Sequence, residues 1–143
     1  MPHSLVYIWV HVVFSTKYRR ELIHPSFELT LYGHICDRLE NDFHCRVRAI
    51  NGMPDHIHLL FQLNQNYALK DVIKNIKGES THWINENKYS PETFAWQVGY
   101  GAFSVGGSSV DVVARYIRNQ KIHHRDKSLL LEYEPIHETR DPV

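Results

Sequence analysis

Apolar residues recur at every second position near the start of the chain, which is the period of a β-strand with one face on a core. From Leu5 to Phe14 the even-numbered positions are valine, isoleucine or phenylalanine. The odd-numbered positions between them include aromatic and polar residues. The pattern predicts a first strand with one apolar face and one aromatic and polar face.

The hydrophobic period changes to that of a helix in the next segment. Between Pro25 and Asn41 an apolar residue stands at every fourth position, and Pro25 suits the first turn of a helix. Arg46 to Ile50 then alternates again and predicts a second strand. Asn51-Gly52 follows it, a dipeptide that often closes a hairpin, so we expect the strand to end there.

A third strand is predicted after Met53-Pro54-Asp55 completes the turn. Ile57, Leu59, Phe61 and Leu63 fall on one face of it, and His56, His58, Leu60 and Gln62 fall on the other. The two histidines therefore point the same way. Their backbones are roughly 7 Å apart at this spacing, which lets both imidazoles converge on one cation.

The second half of the chain predicts two further helices and a strand. Leu69 to Asn87 has helical spacing, although Gly78 weakens its continuity, and residues 94–105 are rich in β-forming residues. A Gly106-Gly107 hinge precedes a last helix that Ser108 or Ser109 can cap and that runs to about His124. The tail from Leu129 to Val143 is mixed in charge, and we expect it to pack partly over the domain.

The order β-α-β-β-α-β followed by a helix predicts the α+β, ferredoxin-like split-βαβ fold. We expect an antiparallel sheet of four to five strands with two helices on one face, a last helix, and an opposite face left for function. The 143 residues have the length of one domain, so residues 1–143 are predicted to form a single one.

Charge, hydropathy and cysteine content bear on the kind of ligand site, the cellular location and the state of the thiols. Lysine plus arginine equals aspartate plus glutamate, 16 each, so any site for a polyanion must be local rather than a property of the whole molecule. The apolar N-terminal stretch lacks an export signal and is too short to span a bilayer, which predicts a cytoplasmic protein. Cys36 and Cys45 show no pairing motif, and we expect free thiols.

Two pairs of residues are candidates for a functional site, and each pair also has a purely structural interpretation. His56 and His58 are a half-site for a metal or simply a solvated histidine pair. Tyr116 and Gln120, four residues apart, lie on one side of the last helix, where His123 extends the line. A tyrosine and an amide at this spacing are more often packing residues, so neither pair decides the function alone.

Four motifs stand in chain order: Pro54-Asp55-His56-Ile57-His58-Leu59-Leu60, Lys77-Gly78-Glu79-Ser80, Tyr100-Gly101-Ala102-Phe103-Ser104-Val105 and Tyr116-Ile117-Arg118-Asn119-Gln120. Taken together, they resemble the single-tyrosine, HUH-type transposases of the IS200/IS605 insertion-sequence family. The similarity covers nearly the whole chain, from His11 and the Lys17-Tyr18-Arg19-Arg20 run to His123-His124.

The resemblance implies that His56, His58 and Gln120 are metal ligands and that Tyr116 is the nucleophile. Two imidazoles and an amide oxygen suit Mg²⁺ or Mn²⁺ with open positions for a phosphate oxygen. The implied reaction cleaves single-stranded DNA with hairpin ends through a 5′-phosphotyrosine and then rejoins it. Family members are similar in working as homodimers, which implies that Tyr116 of one chain meets the histidines of the other. The sequence does not identify the general base.

For the DNA, the free sheet face would present Tyr7, Trp9, His11, Arg46 and Arg48, combining rings with positive charge as single-strand binders do. Burial of Tyr7 and Trp9 against the last helix or a partner is an equal alternative. Lys17, Arg19, Arg20 and Lys77 are better candidates for phosphate contacts, and a solvated basic loop is their alternative.

Two other functions fit parts of the pattern. The split-βαβ fold also serves as a non-catalytic, RRM-like nucleic-acid-binding module, but this leaves the histidine pair and Tyr116 with Gln120 unexplained. A metal-dependent hydrolase would use the histidines with water as nucleophile and would tolerate loss of Tyr116.

Overall fold

The computed structural model describes residues 4–126, in which helices and strands follow the order predicted from the sequence. The predicted tail from Leu129 to Val143 lies outside the described residues. The strands are β1 (Trp9–Ser15), β2 (Arg46–Met53), β3 (His56–Gln62) and β4 (Gly101–Val105), and the helices are α1 (Glu28–Asp42), α2 (Leu69–Asn87), α3 (Val110–Arg118) and α4 (Gln120–Asp126).

The four described strands form one antiparallel sheet in the order β2-β3-β1-β4. Sequence neighbours β2 and β3 form a hairpin, whereas β1 lies between β3 and β4 because α1 and α2 carry the chain across the sheet. This is the strand order of the ferredoxin-like split βαβ. The predicted fold class is confirmed.

One face of the sheet packs against α1 and α2 and forms the larger core. Alternation in β1 and β3 sends Val12, Phe14, Ile57, Leu59 and Phe61 to this face, where they are 0% exposed. The two helices supply the other wall with their apolar stripes, and the described residues of these stripes are Leu31, Ile35, Leu39, Val72, Ile73 and Ile76.

The opposite face is partly covered, which differs from the open surface expected from the sequence. Helix α3 lies on it and packs Val113, Ala114 and Ile117 against Leu60 and Ala49 in a second, smaller core. An amphipathic helix buries its apolar stripe on whatever apolar surface the sheet offers, and Leu60 and Ala49 offer one here.

The predicted turn at Asn51-Gly52 is wrong. Strand β2 continues through Met53, and the hairpin turns at Pro54-Asp55. Gly52 is needed for a different reason, because a Cβ at this position would overlap the backbone of His56 and Ile57 on the paired strand. Local turn propensity is therefore overridden by strand pairing.

Two predicted strands are shorter than their sequence patterns. β1 begins at Trp9 rather than Leu5, and β4 begins at Gly101 rather than Phe94. Residues 95–97 instead run beside the end of β1, where the Lys17 amide donates to the Ala95 carbonyl at 2.9 Å and the Gln97 amide donates to the Ser15 carbonyl at 2.8 Å. These β-forming residues thus form a short extended segment that connects α2 to β4.

The predicted last helix is broken into two. Asn119 leaves the helical conformation with φ −98° and ψ 22°, so α3 ends at Arg118 and α4 begins at Gln120. Before α3, Gly107–Ser109 forms one 3-10 turn, and the Ser109 side chain makes no capping hydrogen bond. Helix α2, in contrast, continues through Gly78 as one helix. Among the described helices, none has the length and apolar character that crossing a membrane requires.

Candidate active site

His56 and His58 lie on β3 at the edge of the smaller core, on the sheet face that α3 partly covers. Both side chains are 0% exposed, and their ring centroids are 5.1 Å apart. Strand alternation places them together, as predicted, because residues two apart on a strand share a face. Their burial makes a solvated histidine pair a wrong description of this site.

Each imidazole is held at its Nδ1 atom. Nδ1 of His56 lies 2.7 Å from Oδ1 of Asp55, and Nδ1 of His58 lies 2.9 Å from Nε2 of His11 on the neighbouring strand. The His11 and His58 rings are also stacked, with centroids 5.1 Å apart. These contacts fix the direction in which each ring presents Nε2.

Asp55 connects this pair to the basic loop after β1. Its Oδ2 atom lies 3.1 Å from a guanidinium nitrogen of Arg19, while Oδ1 faces His56. Burial acts to raise the pKa of Asp55, but the hydrogen bond and charge of His56, together with Arg19, outweigh it and lower that pKa. The carboxylate is therefore ionised and orients both partners.

Tyr116 reaches the histidines from α3. Its side chain is buried, and its ring centroid lies 6.3 Å from that of His58, in an edge-on arrangement. The ring of His123 on α4 stacks on the Tyr116 ring, with the two centroids 4.4 Å apart. The tyrosine and the histidine pair of one chain are thus brought together.

Gln120 reaches the same site from the first residue of α4. It is 0% exposed, and its Oε1 atom lies 3.1 Å from Nε2 of His124, whose ring centroid is 5.0 Å from that of His56. Because the helix is interrupted at Asn119, Tyr116 and Gln120 lie on two successive helices rather than on one. The four predicted site residues still converge.

Neither His11 nor His124 has a place in the site predicted from the sequence. The sequence predicts His11 on an exposed DNA-binding face, but its side chain is 0% exposed and contacts His58, so the prediction is wrong for His11. Trp9 packs partly on the smaller core, whereas Tyr7 is well exposed. The sequence signal for His11 was its position as a polar residue on the second face of β1. Its contact with His58 depends on which strand lies next to β1, and the alternation of residues does not give that.

The predicted basic DNA contacts are scattered rather than gathered in one patch. Lys17 is exposed, Arg19 is paired with Asp55, and Arg20 forms an ion pair with Glu92. Tyr18 and Arg19 both have φ 56°, a conformation costly for residues with a side chain, which shapes this loop.

The other three basic candidates lie on β2 and α2. Lys77 is partly buried and donates to the carbonyls of Gln97 and Gly99, each at 2.6 Å. Arg48 pairs with Asp111 at 3.0 Å, and Arg46 lies opposite Gln62, at the end of β3 remote from His56. The structure brings Arg19 alone of the six into contact with the histidine site.

The family described as "Transposase IS200 like" matches residues 4–120, and the chain belongs to it. Two curated relatives are similar at low identity. The transposase for insertion sequence element IS200 of Salmonella typhimurium is 27% identical over 116 residues, covering 77% of this chain and 74% of the relative. The ISDra2 transposase TnpA of Deinococcus radiodurans is 26% identical over 125 residues, covering 77% and 81%.

Two solved structures share the fold. A Deinococcus radiodurans structure assigned as a transposase superposes with a TM-score of 0.63 at 23% identity, over 84% of this chain and 96% of that one. The structure of a REP-associated tyrosine transposase bound to a REP hairpin gives a TM-score of 0.65 at 15% identity, over 87% and 74%. At these identities the likeness concerns the fold.

Proposed function

We propose that this transposase cleaves and rejoins single-stranded DNA with Tyr116 as the nucleophile and a divalent cation held by His56, His58 and Gln120. The observation that carries the proposal is the convergence of four buried side chains from β3, α3 and α4, with the ring of Tyr116 6.3 Å from that of His58. Polar groups that are buried together need hydrogen-bond partners or a bound cation, because burying them unpaired costs free energy.

The donor set fits a divalent cation. Two imidazoles whose Nδ1 atoms are hydrogen-bonded would offer Nε2, as metal-binding histidines commonly do. Following the family resemblance, the third ligand would be the amide oxygen of Gln120, whose side chain is 0% exposed. Such a set suits Mg²⁺ or Mn²⁺, which would neutralise charge developing on the phosphate oxygens.

Tyr116 supplies the covalent step. Its Oη atom attacks the phosphorus, the bond to the 3′ oxygen breaks, and the phenol proton ends on that oxygen as a 3′-hydroxyl is released. The product is a 5′-phosphotyrosine, which retains the energy of the diester. A 3′-hydroxyl of a second strand then attacks it and releases the tyrosine, so rejoining needs no nucleotide cofactor.

The surrounding residues have orienting roles in this proposal. Asp55 and His11 hold the two imidazoles, and Arg19 holds Asp55. Stacking of His123 on the Tyr116 ring fixes the plane of the phenol. The residues proposed to contact the DNA backbone are Lys17, Arg19, Arg20, Arg46, Arg48 and Lys77.

We propose hairpin-ended single-stranded DNA as the substrate. The relative with a TM-score of 0.65 is bound to a REP hairpin, which supports a hairpin ligand for this chain. We also propose that residues 1–143 act as one domain, in the cytoplasm, and as a homodimer. In the single chain Tyr116 packs beside its own histidines, and exchange of the tyrosine helix between two subunits stays a prediction.

Covalent capture of DNA tests the proposal. The protein is incubated with single-stranded hairpin oligonucleotides representing the ends of its element, with Mn²⁺ or Mg²⁺, and analysed by denaturing electrophoresis. We expect an adduct that survives denaturation and that is absent in Tyr116→Phe. Tyr89→Phe is the matched control, because Tyr89 is stacked on Phe27 on the far side of the sheet and should leave the adduct unchanged.

The metal ligands are tested by His56→Ala, His58→Ala and Gln120→Ala in the same assay. Each should abolish or strongly reduce adduct formation while much of the DNA binding, measured by fluorescence anisotropy, persists. Cleavage without an adduct in Tyr116→Phe would indicate a hydrolase that uses water. Binding without cleavage in the unaltered protein would indicate an RRM-like module, although α3 covers part of the sheet face which such a module uses.

A further inference from the structure

The junction between α3 and α4 is tied to the end of β2 by a set of polar contacts separate from the histidines. Four residues form it, and we call them the β2 latch. They are Glu28 at the start of α1, Asn51 and Gly52 on β2, and Lys121 on α4.

Asn51 contacts both helices. Its Nδ2 atom donates to the carbonyl of Arg118 at 2.9 Å, at the end of α3, where backbone carbonyls lack helical partners. Its Oδ1 atom accepts from Nζ of Lys121 at 3.1 Å and from the amide of Gly52 at 2.9 Å. One amide side chain therefore contacts the last turn of α3 and the first turn of α4.

Lys121 completes the latch from the α4 side. Its Nζ atom donates to the carbonyl of Gly52 at 2.7 Å and lies 3.2 Å from Oε2 of Glu28. The Glu28 side chain is mostly buried, with 15% of its surface exposed, whereas that of Lys121 is 44% exposed. Three acceptors around one ammonium group define a specific position for it.

The latch lies directly beside the proposed active site. Asn51 pairs with His58 in the β2–β3 register, and directly opposite residues of an antiparallel pair share a face of the sheet. On the other side, Lys121 follows Gln120 in sequence. The latch thus connects Asn51, which lies opposite the proposed ligand His58, to Lys121, which follows the proposed ligand Gln120 in sequence.

We propose that Asn51 and Lys121 are positioning residues, which hold α4 so that Gln120 and His124 stay against His56 and His58. The inference rests on the proposed function, since it concerns the third ligand of that site. Helix α3 has an apolar anchor in Val113 and Ile117, whereas α4 begins after a break and is joined to β2 by the polar contacts of the latch.

A purely structural role would also involve hydrogen bonds, so the test needs a measurement that such a role would not change. We would compare Lys121→Met and Asn51→Ala with the unaltered full chain by Mn²⁺ titration calorimetry without DNA. Hydrogen exchange of residues 119–126 without metal would be measured in parallel. Lys121→Arg keeps the charge and the donors, and Lys74→Met, an exposed lysine on α2, is the matched control.

We expect Lys121→Met to speed hydrogen exchange across α4 and to weaken Mn²⁺ binding about tenfold, a typical loss for an orienting partner of a metal site. Asn51→Ala should act in the same direction, Lys121→Arg should restore most of the affinity, and Lys74→Met should change neither quantity.

Two results would overturn the latch. Unchanged exchange of α4 would show that the contacts do not hold it, and faster exchange with unchanged Mn²⁺ affinity would show that they do not position a ligand. No Mn²⁺ uptake by the unaltered protein would overturn the proposed function instead. The exchange of α4 alone would then decide whether the latch holds that helix.

Discussion

The two faces of the sheet differ in what they bury. The face toward α1 and α2 is almost wholly apolar, with valine, isoleucine, leucine and phenylalanine side chains that are buried or partly buried. The face toward α3 has a small apolar core at one side and, beside it, five buried polar or aromatic side chains. These are His11, His56, His58, Tyr116 and Gln120.

This difference separates stability from chemistry within the same strands. In β3, Leu59 contributes to the larger core, and His58 one residue earlier contributes to the histidine cluster. Apolar burial stabilises the fold at about 25 cal/mol per Å², whereas buried imidazoles need partners merely to offset desolvation. Substitutions on the two faces should therefore have different consequences.

The largest effect on stability is expected on the apolar face. Phe61 is 0% exposed, and Phe61→Ala should lower the free energy of unfolding by about 3–5 kcal/mol, through lost transfer energy and a cavity. Urea denaturation measures it. Leu29→Ala, at a residue 78% exposed on α1, should change stability by less than about 0.5 kcal/mol. A loss below about 1 kcal/mol for Phe61→Ala would contradict the assignment.

The next largest effect is expected on the Mn²⁺ affinity of the face toward α3. His11→Ala removes the partner of His58 Nδ1, and we expect Mn²⁺ affinity to fall about 10–100-fold, as loss of an orienting hydrogen bond does. Isothermal titration calorimetry measures it. The control is His82→Ala, since the His82 side chain is 80% exposed on α2. Equal affinities in both variants would show that His11 does not orient a ligand.

A smaller effect concerns Lys77, which lies against the apolar face. Burial lowers the pKa of Lys77 from 10.5 to about 8, and its Nζ lies 5.5 Å from the centre of the Phe14 ring. Above pH 8 the folded state releases this proton while the unfolded chain retains it up to about pH 10.5, so stability should rise with pH in that window. A neutral amine still has two N–H donors for the Gln97 and Gly99 carbonyls.

Lys77→Met removes this titration and tests it. Partial exposure of Lys77 reduces the effect, so we expect the unaltered protein to gain about 1 kcal/mol or less relative to Lys77→Met between pH 7.5 and 10. Urea unfolding at both pH values gives the difference. An increasing advantage of the methionine variant with pH would reverse the sign and exclude the mechanism.

The smallest effect is expected where α3 meets solvent. Arg48 and Asp111 are 3.0 Å apart, but the Asp111 side chain is 79% exposed. A double-mutant cycle of Arg48→Gln and Asp111→Asn should give a coupling of about 0.2–1 kcal/mol that declines with salt. A coupling above about 2 kcal/mol would mean that this ion pair, rather than the apolar stripe of α3, holds the helix on the sheet.

Local rules of the sequence predicted the fold class and the shared face of His56 and His58. Strand alternation is a property of the backbone, so it assigned His56 and His58 to one face before any contact was known. Val113 and Ile117 are likewise four residues apart, which is the amphipathic period of a helix, and both pack in the smaller core. The roles of Tyr116 and Gln120 came from a family resemblance rather than from spacing, and they stay proposals.

Contacts between distant segments were decided by the tertiary structure alone. His11 meets His58 because β1 pairs with β3, and no local pattern states which strands are neighbours. The Asn51-Gly52 dipeptide has the propensity of a turn, yet pairing with β3 extends β2 through it. The break at Asn119 and the latch of Asn51 and Lys121 arise where a helix end meets the end of a strand. Periodicity determined which face each residue takes, because it follows from backbone geometry, whereas partners across the fold depend on packing that a single segment does not contain.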